Sequence, residues 1–335
     1  IQDVNAQTVV LEINEYLKSK AFDAKTSIKT RHGNDKEVLQ LIEDMKSGKI
    51  AALIMSGVNP MYTLPNSKDF ADGLKKTELS ISFSMKEDET ALNCQYIAAT
   101  PHYLESWGDV EMKDGHYSLM QPTIRPLFDT KQFQEVLMGW TVNTQPTYRD
   151  YIKRIWTEDI LEGSSFNEAV QAGVFVKANN TIDVLDELDG VATGTATESV
   201  TGNAARALAT SAKSNGMELT LYPKTGMGDG QQANNPWLQE FPDPITRTSW
   251  DNYITVSKVD ADAMGLINEN VANGGLNGSY ANVTVKGVTV SNVPVIIQPG
   301  QAKGTVGMAL GYGRSAGLKE EMQTGLNAYP LYHNF

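Results

Sequence analysis

Ser56-Gly-Val-Asn-Pro60 closes an apolar run, and its residue types suit a ligand contact. Gly57 allows a tight turn, Asn59 offers an amide that can both donate and accept, and Pro60 fixes the exit. The same residues also serve as ordinary strand-to-loop punctuation, and on this segment alone both readings stay open. Two catalytic patterns overlap near the C-terminus. Gly311-Tyr-Gly-Arg-Ser-Ala316 fits the Gly/Ala form of the dinucleotide fingerprint. Gly313-Arg-Ser-Ala-Gly317 fits a nucleophile elbow, with Glu320, Glu321 and His333 following in the order a triad needs. The fingerprint requires a strand turning into a helix and then a second strand, and too little chain follows Ala316 to supply them. The elbow requires a surrounding α/β sheet, whereas the neighbouring pattern is β. The favoured reading of both is a glycine-rich loop that lets backbones approach closely.

The other titratable residues offer less chemistry. His32, His102, His116 and His333 share no i, i+4 spacing, which disfavours a zinc hydrolase. Asp183, Asp186 and Asp189 with Gly190 have the composition of a calcium loop, but their spacing of three and the lack of a Glu at the twelfth position break the pattern. They read as a solvated helix end. Cys94 is the single cysteine, so a disulfide frame, a zinc ribbon and a cysteine-ligated cluster are excluded. Asn277-Gly-Ser279 and Asn282-Val-Thr284 are glycosylation sequons by pattern.

The elements that must position the Asn59 loop alternate in the α/β manner. Val10, Ile13 and Leu17 recur at helical spacing. Asn34 or Asp35 caps a second helix, with Val38, Leu41, Ile42 and Met45 on one face and Gly48 ending it. Ile50 to Met55 is continuously apolar, which predicts a strand covered on both faces of a parallel sheet. Asn59 then falls at a strand's carboxyl end, where open α/β sheets bind ligands. Ser67 opens a short helix carrying Phe70 and Leu74, and Leu79 to Phe83 is the next strand. A turn of helix around Asp88-Glu-Thr-Ala91 leads into a strand at Tyr96 to Ala99. That rhythm predicts an open parallel sheet within an α/β domain over residues 1–130.

Residues 131–215 read as a helical segment followed by a Ser/Thr/Gly-rich connection: 131–175 is helical around Phe133, Val136 and Leu137, then Tyr151, Ile152 and Ile155, broken at Pro146. From Gly190 to Asn215 the composition shifts to Thr, Ala, Gly and Ser, which predicts a loose connection. Over 216–335 the pattern is β. Short strands at Glu218–Tyr222, Tyr253–Ser257, Val283–Val290 and Val293–Ile297, with one short helix at Asp260–Gly265, predict a compact barrel.

Composition narrows the function classes. The 335 residues, 41% apolar, suffice for two domains. Twenty-eight Lys and Arg against 40 Asp and Glu give a net charge of −12, spread along the chain with no basic segment, so nucleic acid is excluded as a partner. The longest apolar run, Ile50 to Met55, falls far short of the ~20 residues needed for a membrane span. The chain opens on Ile1, carries no signal-peptide pattern and stops at Phe335, as expected for a piece of a longer protein.

Several blocks together resemble one superfamily. Val58-Asn-Pro60, Asp88-Glu-Thr-Ala91, Thr100-Pro-His-Tyr-Leu-Glu-Ser-Trp-Gly-Asp109 and Gln121-Pro-Thr-Ile-Arg-Pro126 are similar to the third domain of molybdopterin oxidoreductases. Gly228-Asp-Gly230, Asn235-Pro-Trp-Leu-Gln-Glu-Phe-Pro-Asp-Pro244, Trp250-Asp-Asn252, Pro299-Gly-Gln301 and Gly311-Tyr-Gly-Arg314 resemble one branch, the large B subunit of alternative complex III. That complex is a bacterial quinol-oxidising respiratory assembly, and the resemblance covers most of the chain except the Ser/Thr/Gly-rich middle. It implies a Rossmann-like third domain followed by a double-psi-like β-barrel. In catalytic relatives these two domains clasp the guanosine ends of two molybdopterin guanine dinucleotides. The matching positions here are Gly57, Asn59, Pro60, Glu89 and Thr90 in the first half, and Asn252 and Asp262 in the second.

The sequence also departs from that family. Where molybdenum-binding relatives carry Ala-Asp before an apolar run ending in Leu-Pro, this chain has Asn93-Cys-Gln95 and Ala99-Thr-Pro101. The family's metal ligand and cubane cysteines belong to earlier domains, and its alternative complex III branch lacks the pterin. The resemblance therefore implies no catalytic residue and no cofactor in this stretch, with iron–sulfur clusters elsewhere in the parent chain. It further implies a structural scaffold for electron transfer on the periplasmic side of the inner membrane. The partners would be the rest of the same subunit and other subunits of a membrane respiratory complex. One alternative is part of an active molybdopterin oxidoreductase holding the guanine dinucleotide, with catalytic residues in an N-terminal region. Another is an independent small-molecule-binding protein that uses the Asn59 loop.

Overall fold

A computed structural model describes residues 3–23, 26–30, 33–141, 147–177, 200–210, 216–271 and 276–333. The chain begins with α1 (Val4–Tyr16), α2 (Asp35–Lys46), β1 (Ala52–Ser56), α3 (Pro60–Thr63), α4 (Ser67–Leu74), β2 (Leu79–Ser84) and β3 (Tyr96–Ala99). There follow β4 (Gly108–Lys113), β5 (His116–Met120), α5 (Phe133–Trp140), α6 (Tyr148–Ile155), α7 (Phe166–Ala172), β6 (Val174–Val176) and α8 (Val200–Thr210). The last part holds β7 (Glu218–Pro223), α9 (Pro236–Glu240), β8 (Ile254–Val256), α10 (Lys258–Met264), β9 (Asn268–Asn270) and β10 (Leu276–Gly278). It ends with β11 (Tyr280–Val285), β12 (Val288–Ile297) and β13 (Thr305–Leu310). Contacts group the chain into two units, each discontinuous in sequence. One comprises Ile1–Gly33, His102–Leu127 and Gln134–Lys213; the other comprises Asn34–Pro101, Phe128–Phe133 and Ser214–Phe335.

In the first unit, β4, β5 and β6 form an antiparallel sheet in that order. The hairpin turns at Asp114-Gly115, where Gly115 takes φ +72°. Leu119, Tyr148, Ile152, Trp156, Leu161 and Phe166 form the core under this sheet. Trp156 is completely buried, and its indole N–H donates to Asp109 Oδ2 at 2.9 Å, so the ring brings its polar edge into the core already satisfied. α6 is capped by the Thr147 hydroxyl, which accepts from the Asp150 backbone N–H. α8 corrects the expectation of a loose connection as far as residues 200–210 are concerned. Small residues bury little, but the alanines among them are strong helix formers, and α8 packs against α1. Asp183, Asp186, Asp189 and the rest of that stretch lie outside the described residues, as does His32.

The second unit contains the predicted parallel sheet. β1, β2 and β3 are parallel neighbours in that order, with Ile54, Ile81 and Tyr96 in register. The Asn34 side chain accepts from the Glu37 N–H and caps α2. Ile42 and Met45 of α2 pack with Phe70 and Leu74 of α4 over Leu53 and Met55 of β1. Gly73 makes the helix approach close, since a Cβ there would stand 2.9 Å from the Met45 Cβ. The expectation that β1 is covered on both faces is corrected: Ala52, Ile54 and Ser56 on its second face are exposed. An unbroken apolar run shows that a strand can be covered, not which side its helices take.

The C-terminal part of this unit is a five-stranded mixed sheet ordered β11-β12-β8-β13-β7. Its core is Ile254, Val256, Val293, Val295, Val306 and Met308. The predicted barrel is not closed among the described residues, where β11 and β7 are the sheet's two edges. The short helix is present as α10, ended by Gly265 at φ +67°.

Candidate functional site

Asn59 stands at the end of β1, as its N-cap to α3, and Pro60 takes the first helical position, where its missing N–H costs nothing. Gly57 has φ +65° and donates its N–H to Phe83 O, tying the loop to β2. The Asn59 side chain does not cap its own helix. It is buried and points instead to the loop after β2: Nδ2 donates to Glu89 Oε2 at 2.7 Å, and Oδ1 accepts from the Thr90 N–H at 3.1 Å and the Thr90 hydroxyl at 2.7 Å. Thr90, also fully buried, in turn accepts from the Met61 N–H at 3.0 Å. Five of the seven sequence-derived positions, Gly57, Asn59, Pro60, Glu89 and Thr90, are thus brought together at the carboxyl ends of two parallel strands.

Residues the sequence reading had not placed at the site complete it. Arg314, 225 positions beyond Glu89 and almost fully buried, donates from Nη2 at 2.9 Å and from Nε at 3.2 Å to Glu89 Oε2. Its Nη1 donates to Gly230 O at 2.7 Å, and its guanidinium carbon lies 5.5 Å from the Tyr62 ring centroid. The Ser315 and Ala316 N–H groups donate to Glu89 Oε1 at 3.3 and 3.2 Å. Around this centre, the Tyr62 hydroxyl donates to Tyr312 O at 2.7 Å, and Gln231 Nε2 donates to Gly57 O at 3.2 Å. Lys86 Nζ donates to Gln231 O and Asn234 Oδ1, both at 2.6 Å.

Burial pushes the Glu89 carboxyl up, but hydrogen bonds from Arg314 and Asn59 outweigh it and hold the group below the usual carboxylate range. Glu89 is therefore an anion matched to a cation, not a proton donor. Its oxygens, the Asn59 amide and the Thr90 hydroxyl are all engaged within the chain. As placed, these side chains do not fit a bound nucleotide, which would need some of those donors or acceptors for itself.

The other two positions do not join them. Asn252 is fully buried just before β8, where Nδ2 donates to Ala309 O at 3.0 Å and Leu326 O at 2.8 Å, and Oδ1 accepts from the Leu326 N–H at 2.8 Å. It pins the C-terminal segment to the mixed sheet. Asp262 lies exposed on α10 and pairs with Lys258 one turn earlier. Neither has a hydrogen bond to the first five.

The glycine patterns of residues 311–317 form a close-approach loop. Gly311, Gly313 and Gly317 all have positive φ. A Cβ on Gly313 would lie 2.2 Å from Asn327 N, and one on Gly317 2.8 Å from Glu87 O. No α-helix follows the loop among the described residues, as a pyrophosphate site would require. Among the described residues, no group of three or more His, Cys, Asp or Glu is placed to hold a metal ion. His102 instead caps the turn Tyr103–Glu105, and burial raises the pKa of the Cys94 thiol.

Comparisons with known proteins bear on this geometry. The chain matches no protein-family model. It is 25% identical over 280 residues to the menaquinone reductase, molybdopterin-binding-like subunit, of Nitratidesulfovibrio vulgaris (strain Hildenborough), an alignment covering 79% of this chain and 36% of that protein. The fold is similar to acetylene hydratase from Pelobacter acetylenicus, with a TM-score of 0.53 and 14% identity over 87% of this chain and 42% of the hydratase chain. Both likenesses support a molybdopterin oxidoreductase-like region. The chain spans little more than a third of the curated relative and under half of the hydratase chain.

Proposed function

We propose that the chain is a cofactor-free, molybdopterin oxidoreductase-like module in a subunit of a respiratory quinol-oxidising complex of the alternative complex III type. It acts as a scaffold, packing against the rest of its own subunit and against other subunits, while iron–sulfur clusters elsewhere in the parent chain carry electrons. Residues 1–130 then correspond to the third domain of the superfamily and 216–335 to its double-psi β-barrel, joined through 131–215. The periplasmic side of the bacterial inner membrane is the compartment this reading assigns. The relative's name, with its quinone reductase and its "-like" binding subunit, supports the quinone connection.

One observation carries the cofactor-free part. At Gly57, Asn59, Glu89 and Thr90, the polar atoms that would meet a pterin nucleotide are committed to Arg314, Gln231 and one another. The test is acid release and oxidation of the intact subunit, purified in its complex, followed by pterin fluorescence. No fluorescence is expected. Pterin stoichiometric with the chain would overturn the reading and favour an active molybdopterin oxidoreductase with its catalytic residues in an N-terminal region.

A further inference from the structure

The partners of the Arg314 guanidinium describe a binding slot. One edge of the planar cation meets the Glu89 carboxylate, with Nη2 and Nε at 2.9 and 3.2 Å from Oε2 and Nε also 3.4 Å from Oε1. Another edge meets the Gly230 carbonyl at 2.7 Å, and the guanidinium carbon lies over the Tyr62 ring, 5.5 Å from its centroid. A guanidinium presents parallel N–H donors in a fixed fork, which an ammonium group cannot reproduce.

Each wall of this slot is held by contacts that do not involve the Arg314 side chain. Glu89 is fixed by Asn59 and by the Ser315 and Ala316 N–H groups. Tyr62 is fixed through its hydroxyl to Tyr312 O. Gly230 is packed at φ +91° against Gly311, where a Cβ would lie 2.9 Å from the Gly311 carbonyl oxygen. The loop that carries Arg314 is anchored separately, by the Gly313 N–H to Thr324 O at 2.8 Å.

We propose that Glu89, Asn59, Tyr62 and the Gly230 carbonyl form a recognition slot for guanidinium-type ligands, filled in this protein by Arg314 of the same chain. The inference rests on the reading of the Asn59–Glu89 loops as a cradle closed by the chain's own residues, and it adds the chemical class of the occupant. Planarity and the N–H fork, not positive charge alone, seat residues 311–317 against Glu89.

Chemical rescue tests this. Arg314→Ala is expected to melt at a lower temperature than the wild type. Guanidinium chloride at millimolar concentration, well below denaturing levels, should recover at least half of that loss. Ammonium chloride and sodium chloride at equal ionic strength should recover none, and Arg314→Lys should melt close to Arg314→Ala. The wild type, whose slot is filled, should not respond. Adding Glu89→Gln to Arg314→Ala should abolish the rescue. Equal effects of guanidinium and ammonium, no effect of either, or rescue that persists in the double variant would each overturn the slot. If Arg314→Ala does not fold in buffer, the readout becomes refolding yield: recovery with guanidinium but not ammonium is expected, and recovery with neither overturns the proposal. A failed rescue removes the slot without touching the pterin assay, whereas a positive pterin assay removes the cofactor-free reading itself.

Discussion

Two opposing forces act on the proton of Glu89. Burial favours the neutral acid, while Arg314 and Asn59 favour the anion, and the anion wins. A carboxyl depressed in the folded state stabilises the fold above its unfolded pKa of about 4.3 and loses that contribution as pH falls through the folded value. The wild type should therefore exceed Glu89→Gln in urea midpoint at neutral pH, and the gap should narrow on acidification below about pH 4. A gap unchanged by acid would show that the Arg314 pair contributes nothing. Asn252 and Asp262 give a sharper contrast, because one is structural and the other solvated. Asn252→Ala orphans buried backbone groups at Ala309 and Leu326, at about 1–3 kcal/mol for each group left unpaired. Asp262→Ala loses one exposed i, i+4 pair, about 0.3–0.5 kcal/mol. Urea denaturation of both variants checks the ordering, and an equal loss would contradict it.

Among the elements, the loop after β13 depends most on single glycines. Gly313→Ala would combine a left-handed φ of +72° with a Cβ 2.2 Å from Asn327 N, so the segment must move. Gly300→Ala has a similar φ of +82° but open space around the added carbon, so its cost should stay near the conformational term of about 1–2 kcal/mol. Thermal melting should show a much larger fall for Gly313→Ala, and comparable falls would refute the close-approach account. The helices and parallel strands of residues 34–99 were legible because their signals are local, as with Asn34 before the Val38–Leu41–Ile42–Met45 face. The β4–β5 hairpin also had a local signal in Asp114-Gly115, which the reading of a βαβ rhythm passed over. The exposed face of β1 and the open edges of the β11-to-β7 sheet were not legible, since both depend on which elements pack where. Arg314 was visible only as part of a glycine motif. Its partner lies 225 residues earlier, and a pairing at that separation leaves no pattern in either segment.

For the whole molecule, the charge of −12 with no basic segment disfavours nucleic acid, and no helix among the described residues is long and apolar enough to cross a membrane. The shared fold with acetylene hydratase shows an architecture, and the chemistry of any one member depends on its own site residues. In this chain the candidate residues face one another: Asn59 to Glu89 and Thr90, and Glu89 to Arg314. On the proposed reading, the superfamily's nucleotide cradle persists as a joint between two halves of one compact unit. The most direct test is elemental analysis of the intact subunit purified in its complex, with iron and molybdenum measured on the same sample. The account predicts iron without stoichiometric molybdenum; one molybdenum per chain would contradict it.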